Sequence, residues 1–150
     1  MIQMSKRLED QSVNMKLFVY GSLRQGRYNY DIYLKNNSKF LQEAYVRGIL
    51  YSLKGKEYPA IVEGNSLILG ELFEVDQETF DRMDEMEGYV PGRFENEYDK
   101  IVTEILDKEG NVIDHLPVYW YNVKLASQKA LLDEVIESGD YVKYKQSKER

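Results

Sequence analysis

The apolar positions of the chain fall into short runs broken by glycine or by charged residues. Lys16 to Tyr20 (KLFVY) is an apolar run ended by Gly21, which predicts a buried strand entering a tight turn. Tyr30, Tyr33 and Leu34 stand at helical spacing and predict a helix over Asn29 to Lys35. Glu43 to Leu53 is β-branched and aromatic, a strand with a bend at Gly48. Tyr58 to Val62 predicts a short strand with Pro59 at its edge. Glu63 to Ser66 predicts a turn, and Leu67 to Val75 a further strand bent at Gly70. Asp76 to Glu87 is the clearest helix, with Asp76 as N-cap, Glu78 in its first turn and Gly88 just past its end. Tyr98 to Leu106 and Val112 to Val123 predict a hairpin around Asp107-Lys108-Glu109-Gly110. Ser127 caps a last predicted helix running to about Glu137, with Leu131, Leu132 and Val135 as its apolar face and Gly139 beyond it.

Strands dominate, several bent by glycine, with two or three helices between them. That pattern predicts an α+β fold with a strongly curved or closed sheet. Residues 1–14 are polar and read as a flexible extension, with room for a short helix around Ser5 to Gln11. Residues 15–143 read as a single domain, and 144–150, with Lys145, Lys148 and Arg150, as a solvated tail.

Composition narrows the chemistry. The chain has 150 residues and no cysteine, which excludes a disulfide scaffold, a thiol nucleophile and any thiolate metal site. Its one histidine, His115, excludes multi-histidine metal sites and reads as a surface turn residue. No metal or cofactor is expected. Twenty basic against 26 acidic residues give a net charge of −6, which disfavours nucleic acid. The N-terminus lacks the apolar run of a signal peptide, and no stretch approaches the roughly 18 apolar residues of a membrane helix. The expectation is a cytoplasmic protein, monomer or homodimer, without a membrane partner. Thirteen tyrosines are the positive feature.

Two places invite function. Projected at 100° per residue, Glu87 falls between Phe80 and Met83 on the apolar stripe of its helix. Either the helix ends and Glu87 turns to solvent, or its carboxyl is desolvated, with a raised pKa suited to acid/base chemistry. Tyr20-Gly21-Ser22-Leu23 is a strand running into a glycine-bearing turn, followed by Gly26 and Asn29. It is either an ordinary strand-ending turn or a nest of N–H groups for an anion. It matches neither a Walker A loop nor a Gly-x-Ser-x-Gly elbow. Arg24 and Arg27 follow the turn, as solvated loop charges or as partners for an acidic substrate tail. Asp84 and Glu85 read as solvated helix positions.

Taken in order, these stretches carry a likeness. They are Val19 to Arg24 with Gly26 and Asn29, Gly48 to Tyr51 with Tyr58 to Val62, Gly70 to Val75 with Met83 to Tyr89, and Tyr98 with Val118 to Tyr121. Together they span roughly Met15 to Tyr141, and the chain resembles the gamma-glutamylcyclotransferase-like family. The resemblance implies a small mixed β-barrel, strongly curved or closed, with two to three flanking helices and a pocket at one mouth. It implies that Tyr20, Gly21, Ser22 and Leu23 bind a glutamyl carboxylate, that Tyr98 lines the pocket, and that Glu87 is the catalytic acid/base. The implied substrate is a γ-glutamyl amide or amine, whose own α-amine would attack the γ-carbonyl, releasing 5-oxoproline and a free amine. The chain departs from the family pattern at Met83, usually leucine, and at Lys100, usually arginine. The second change removes a bidentate fork. Tyr89 to Glu97 is longer than in the shortest members and reads as a rim or lid over the pocket. A second enzyme reading removes a γ-glutamyl protecting group by the same chemistry. The non-enzymatic alternative is a small-molecule binding protein on the same scaffold.

Overall fold

The computed structural model describes residues 14–149. The expected N-terminal extension, with its Ser5–Gln11 helix, lies outside the described residues except for Asn14. Strand β1 (Met15–Val19) leads through the glycine turn to a short π-helical segment, Tyr30–Leu34, where the sequence predicts a helix. Two long strands follow, β2 (Ser38–Leu53) and β3 (Ala60–Val75), then helix α1 (Gln77–Glu87). Strands β4 (Tyr98–Leu106) and β5 (Val112–Tyr121) form the predicted hairpin. A one-turn helix α2 (Ala126–Lys129), a short strand β6 (Leu132–Val135) and helix α3 (Tyr141–Lys148) complete the described chain.

The fold is α+β: a six-stranded sheet in the order β1-β3-β2-β4-β5, with β6 on β2, flanked by short helices. Every strand pairing among the described residues is antiparallel, so the expected mixture of directions is corrected. The apolar faces of the strands meet in a core that includes Leu17, Val19, Phe73, Val75, Met83 and Tyr98.

Three expectations give way to tertiary packing. The predicted turn at Glu63 to Ser66 is a bulge inside one long strand. Gly48 pairs with Ser66 and Ile49 with Val62, so residues 63–65 are extruded from the ladder without ending it. The helix predicted from Ser127 to Glu137 is only α2. Beyond it, Tyr51 pairs with Val135 and Leu53 with Leu132, and Ile136 donates its N–H to Leu50 at 2.7 Å. An edge of β2 offers backbone partners that weak local helix preference cannot match. The expected solvated tail is largely helical. Asp140 caps α3 by accepting from the Lys143 N–H at 3.1 Å, and Tyr141 is buried. Gly139 makes the tight entry: its φ is +68°, and a Cβ there would stand 2.3 Å from the Leu67 carbonyl oxygen. His115 lies exposed within β5 opposite Glu104, not in a turn. Among the described residues no helix is long and apolar enough to cross a membrane.

Candidate active site

The Tyr20–Leu23 turn leaves β1 where Val19 pairs with Glu71. Gly21 is required by contact, since a Cβ at that position would lie 2.6 Å from the Pro59 ring. Asn29 braces the turn. Its N–H bonds the Ser22 carbonyl at 3.1 Å and its side-chain amide donates to Ser22 Oγ at 2.8 Å. Gly21, Ser22 and Leu23 are buried. Among the described residues their N–H groups find no backbone acceptor. Buried N–H groups are ordinarily paired, so three in a row make a place where an anion or carbonyl oxygen is stabilised.

Helix α1 delivers Glu87. Asp76 caps its start through the Thr79 N–H at 2.7 Å, and Gly88, in the left-handed conformation, closes it. The helix does end at Glu87, but the side chain lines a cavity of about 150 Å³ rather than turning out to solvent. Tyr20, Gly21, Ser22, Leu23 and Tyr98 line the same cavity. All six residues singled out in the sequence therefore meet in one place. A cavity this small suits one compact group, being below the roughly 300 Å³ of ordinary ligand pockets. A broader depression of about 610 Å³, between β2 and the turn after β4, holds none of these residues.

Burial first, then the charges of Glu97 and Asp84, pushes the Glu87 carboxyl from 4.5 up to about 8. Burial likewise raises the Tyr20 and Tyr98 phenols well above their usual value, so both stay protonated at neutral pH. Their protons are already committed. Tyr20 donates to the Tyr119 carbonyl and Tyr98 to the Pro59 carbonyl, the latter at 2.6 Å. The two tyrosines thus wall the cavity and pin it together, leaving only oxygen lone pairs for an occupant.

Two carboxylates beside Glu87 have roles the sequence did not reveal. Asp84, expected to be solvated, is half-buried and accepts from Lys100 Nζ at 2.9 Å and from the Tyr119 hydroxyl at 2.5 Å. Lys100 also sits 4.8 Å from the centre of the Phe80 ring. The lysine at this position therefore serves as a point charge over aromatic faces, which needs no fork. Glu97 lines the cavity and accepts from the Tyr58 hydroxyl at 2.8 Å. No periodicity flags Glu97, because it ends an irregular loop; only its place just before Tyr98 could have suggested it. Glu85 is exposed, as expected.

Arg24 is committed to carboxylates of the fold. It is 5% exposed, with Nε on Glu71 at 3.0 Å and a terminal nitrogen on Asp140 at 2.8 Å. Arg27 pairs with Glu149 at 2.8 Å. Neither arginine lines the cavity. The long loop after α1 is held by Asn96, whose side chain bonds the Val90 N–H at 3.0 Å and the Val90 carbonyl at 2.8 Å.

The family model described as "Gamma-glutamyl cyclotransferase, AIG2-like" matches residues 17–143. The chain belongs to this family. Among its gamma-glutamyl cyclotransferase relatives is gamma-L-glutamyl-butirosin B gamma-glutamyl cyclotransferase of Niallia circulans. It is 34% identical over 116 residues, covering 77% of this chain and 73% of the relative. A relative from Methanocaldococcus jannaschii is 35% identical over 131 residues, covering 86% of this chain and 97% of its own length. In three dimensions the chain is similar to an uncharacterized protein from Pyrococcus horikoshii, with a TM-score of 0.63 and 28% identity. That match covers 90% of this chain and 96% of the other. By homology the protein is a gamma-glutamyl cyclotransferase-like enzyme.

Proposed function

We propose that the protein cyclises the glutamyl group of γ-glutamyl amides, releasing 5-oxoproline and a free amine, with Glu87 as general acid/base. One observation carries this reading: the Glu87 carboxyl, raised to about 8, shares a small cavity with the Gly21–Leu23 turn, whose N–H groups find no backbone acceptor among the described residues. The name of the Niallia circulans relative supports a γ-glutamyl substrate.

The α-amine nitrogen of the substrate attacks its own γ-carbonyl carbon, forming the ring N–C bond. The carbonyl electrons move to oxygen and return as the amide C–N bond breaks. The α-amine gives up its proton to Glu87, and the same proton passes to the departing nitrogen. An α-amino group titrates at about 8, close to Glu87, so transfer between them runs at little cost in either direction. The turn N–H groups hold the substrate carboxylate or the tetrahedral oxyanion, a contribution of about 3–4 kcal/mol per donor at an oxyanion. The small cavity keeps the glutamyl chain curled, so that attack is intramolecular. Packing of β5 on both β1 and β3, with the Tyr20 to Tyr119 bond, supports a strongly curved, barrel-like sheet around this cavity.

Glu87→Gln is expected to fold and to lose about 10²–10⁴-fold in 5-oxoproline release from γ-glutamyl amines. Near-wild-type turnover in that variant would end the assignment. A protein that binds 5-oxoproline tightly but turns over no γ-glutamyl amide would be a binding protein instead.

A further inference from the structure

Cyclisation needs Glu87 and the Tyr20–Leu23 turn at one fixed separation, yet the two come from different elements. The turn follows β1, and Glu87 ends α1. One residue bonds to both sides. Tyr119 of β5 accepts from the Tyr20 hydroxyl through its backbone carbonyl, and donates through its own hydroxyl to Asp84 of α1 at 2.5 Å. Asp84 stands one helical turn before Glu87. Its backbone carbonyl closes the helix by accepting from the Gly88 N–H, and from the Tyr89 N–H at 2.8 Å. Whatever holds Asp84 therefore holds the end of α1 that carries Glu87.

Among the described residues Asp84 is the only side chain of α1 that hydrogen-bonds to the sheet. Met83 packs beside it in the core, but apolar contact is non-directional and sets no register. The two donors to Asp84, Lys100 and Tyr119, face each other across β4 and β5. They are not equivalent. Lys100 is a point charge on a flexible stem and can swing about Asp84 without moving it. Tyr119 is 7% exposed, and its ring turns on only two torsions. Burial, then the bond to Asp84, raises its phenol above the usual range, so it stays a donor. We propose, on the cyclisation reading, that Tyr119 is the positioning residue that fixes Glu87 at its working distance from the turn.

The test is a double-mutant cycle on 5-oxoproline release, using the fastest of the γ-glutamyl amides of glycine, n-butylamine and 1,4-diaminobutane. Tyr119→Phe keeps the ring and the carbonyl that holds Tyr20, and removes only the bond to Asp84. Its kcat, read on the high-pH plateau where Glu87 is ionised, is expected to fall about 10–100-fold, the scale of a misplaced catalytic group. KM and the Kd of 5-oxoproline are expected to hold, because the turn is intact. In an Asp84→Ala background the same Tyr119→Phe change is expected to alter kcat by no more than about twofold, since its partner is already gone. Should Asp84→Ala fail to fold, the split between kcat and the two binding constants decides on Tyr119→Phe alone. A kcat near wild type in Tyr119→Phe overturns the role of Tyr119. So does a loss shared by kcat and Kd, or a full loss repeated in Asp84→Ala, since either places the hydroxyl on the substrate. A Tyr119→Phe chain that does not fold also overturns it, by assigning the hydroxyl to stability. All four leave cyclisation intact. Release of 5-oxoproline by wild type from none of the three amides overturns the cyclisation reading, and this inference with it.

Discussion

A carboxyl with a pKa of about 8 favours its neutral form in the folded protein, because an exposed glutamate titrates near 4.5. The stability this group contributes is fully present below about pH 4.5 and is lost as pH rises through about 8. Glu87→Gln removes that loss. The variant is therefore expected to melt at the same temperature as wild type or higher, with the gap widening between pH 6 and 9. A melting temperature below wild type at pH 9 would place Glu87 in a stabilising ion pair. The same titration should appear in catalysis, as an ascending limb of kcat/KM near pH 8. Helix phase alone put Glu87 on the buried stripe of α1. The size of its shift was not legible, because it depends on enclosure and on the charges of Glu97 and Asp84. Those charges arrive from a distant loop and from a helix position that looked solvated.

The loop between α1 and β4 is long but preorganised. The buried Asn96 side chain spans it from Val90 to Arg93, and the Asn122 amide donates to the Asn96 carbonyl at 2.8 Å. Asn96→Ala strips buried backbone groups of their partners and is expected to cost about 2–3 kcal/mol in urea unfolding. Because Glu97 is the next residue, kcat/KM on γ-glutamyl amines should fall as well. An unchanged midpoint and unchanged kinetics would show that the rim holds itself by other means. Capping chemistry made α1 legible, since Asp76 and Gly88 act locally. The β6 segment was not legible, because Leu132 and Val135 suit either a helix face or a strand, and the choice fell to pairing with β2. The bulge at residues 63–65 was misread as a turn for a related reason. Its Glu-Gly-Asn composition is turn chemistry, and only the register with β2 shows the ladder resuming on both sides.

At the scale of the whole molecule, the Tyr20–Leu23 turn is tied to the far end of the described chain. Arg24 joins Glu71 on β3 to Asp140, the cap of α3, and Glu71 also accepts from the Gln25 N–H at 2.9 Å. Glu71→Ala leaves a buried guanidinium with Asp140 as its remaining partner, and is expected to cost about 3 kcal/mol. It should also raise KM for γ-glutamyl amines by loosening the turn. Loss of stability with KM unmoved would separate the network from the site.

The sequence by itself determined the strands β1, β4 and β5, helix α1, the residue types of the turn and the position of Glu87 on its helix. All of these follow from periodicity, caps and turn residues, which act within a few positions of the chain. Tertiary structure alone decided that the turn, Glu87 and Tyr98 share one small cavity, that Arg24 is structural, and that Glu97 faces the same space. It also decided that Leu132–Val135 is a strand. These depend on contacts between residues far apart in sequence. Burial and electrostatics at such contacts are set by the assembled sheet, and no local pattern encodes them.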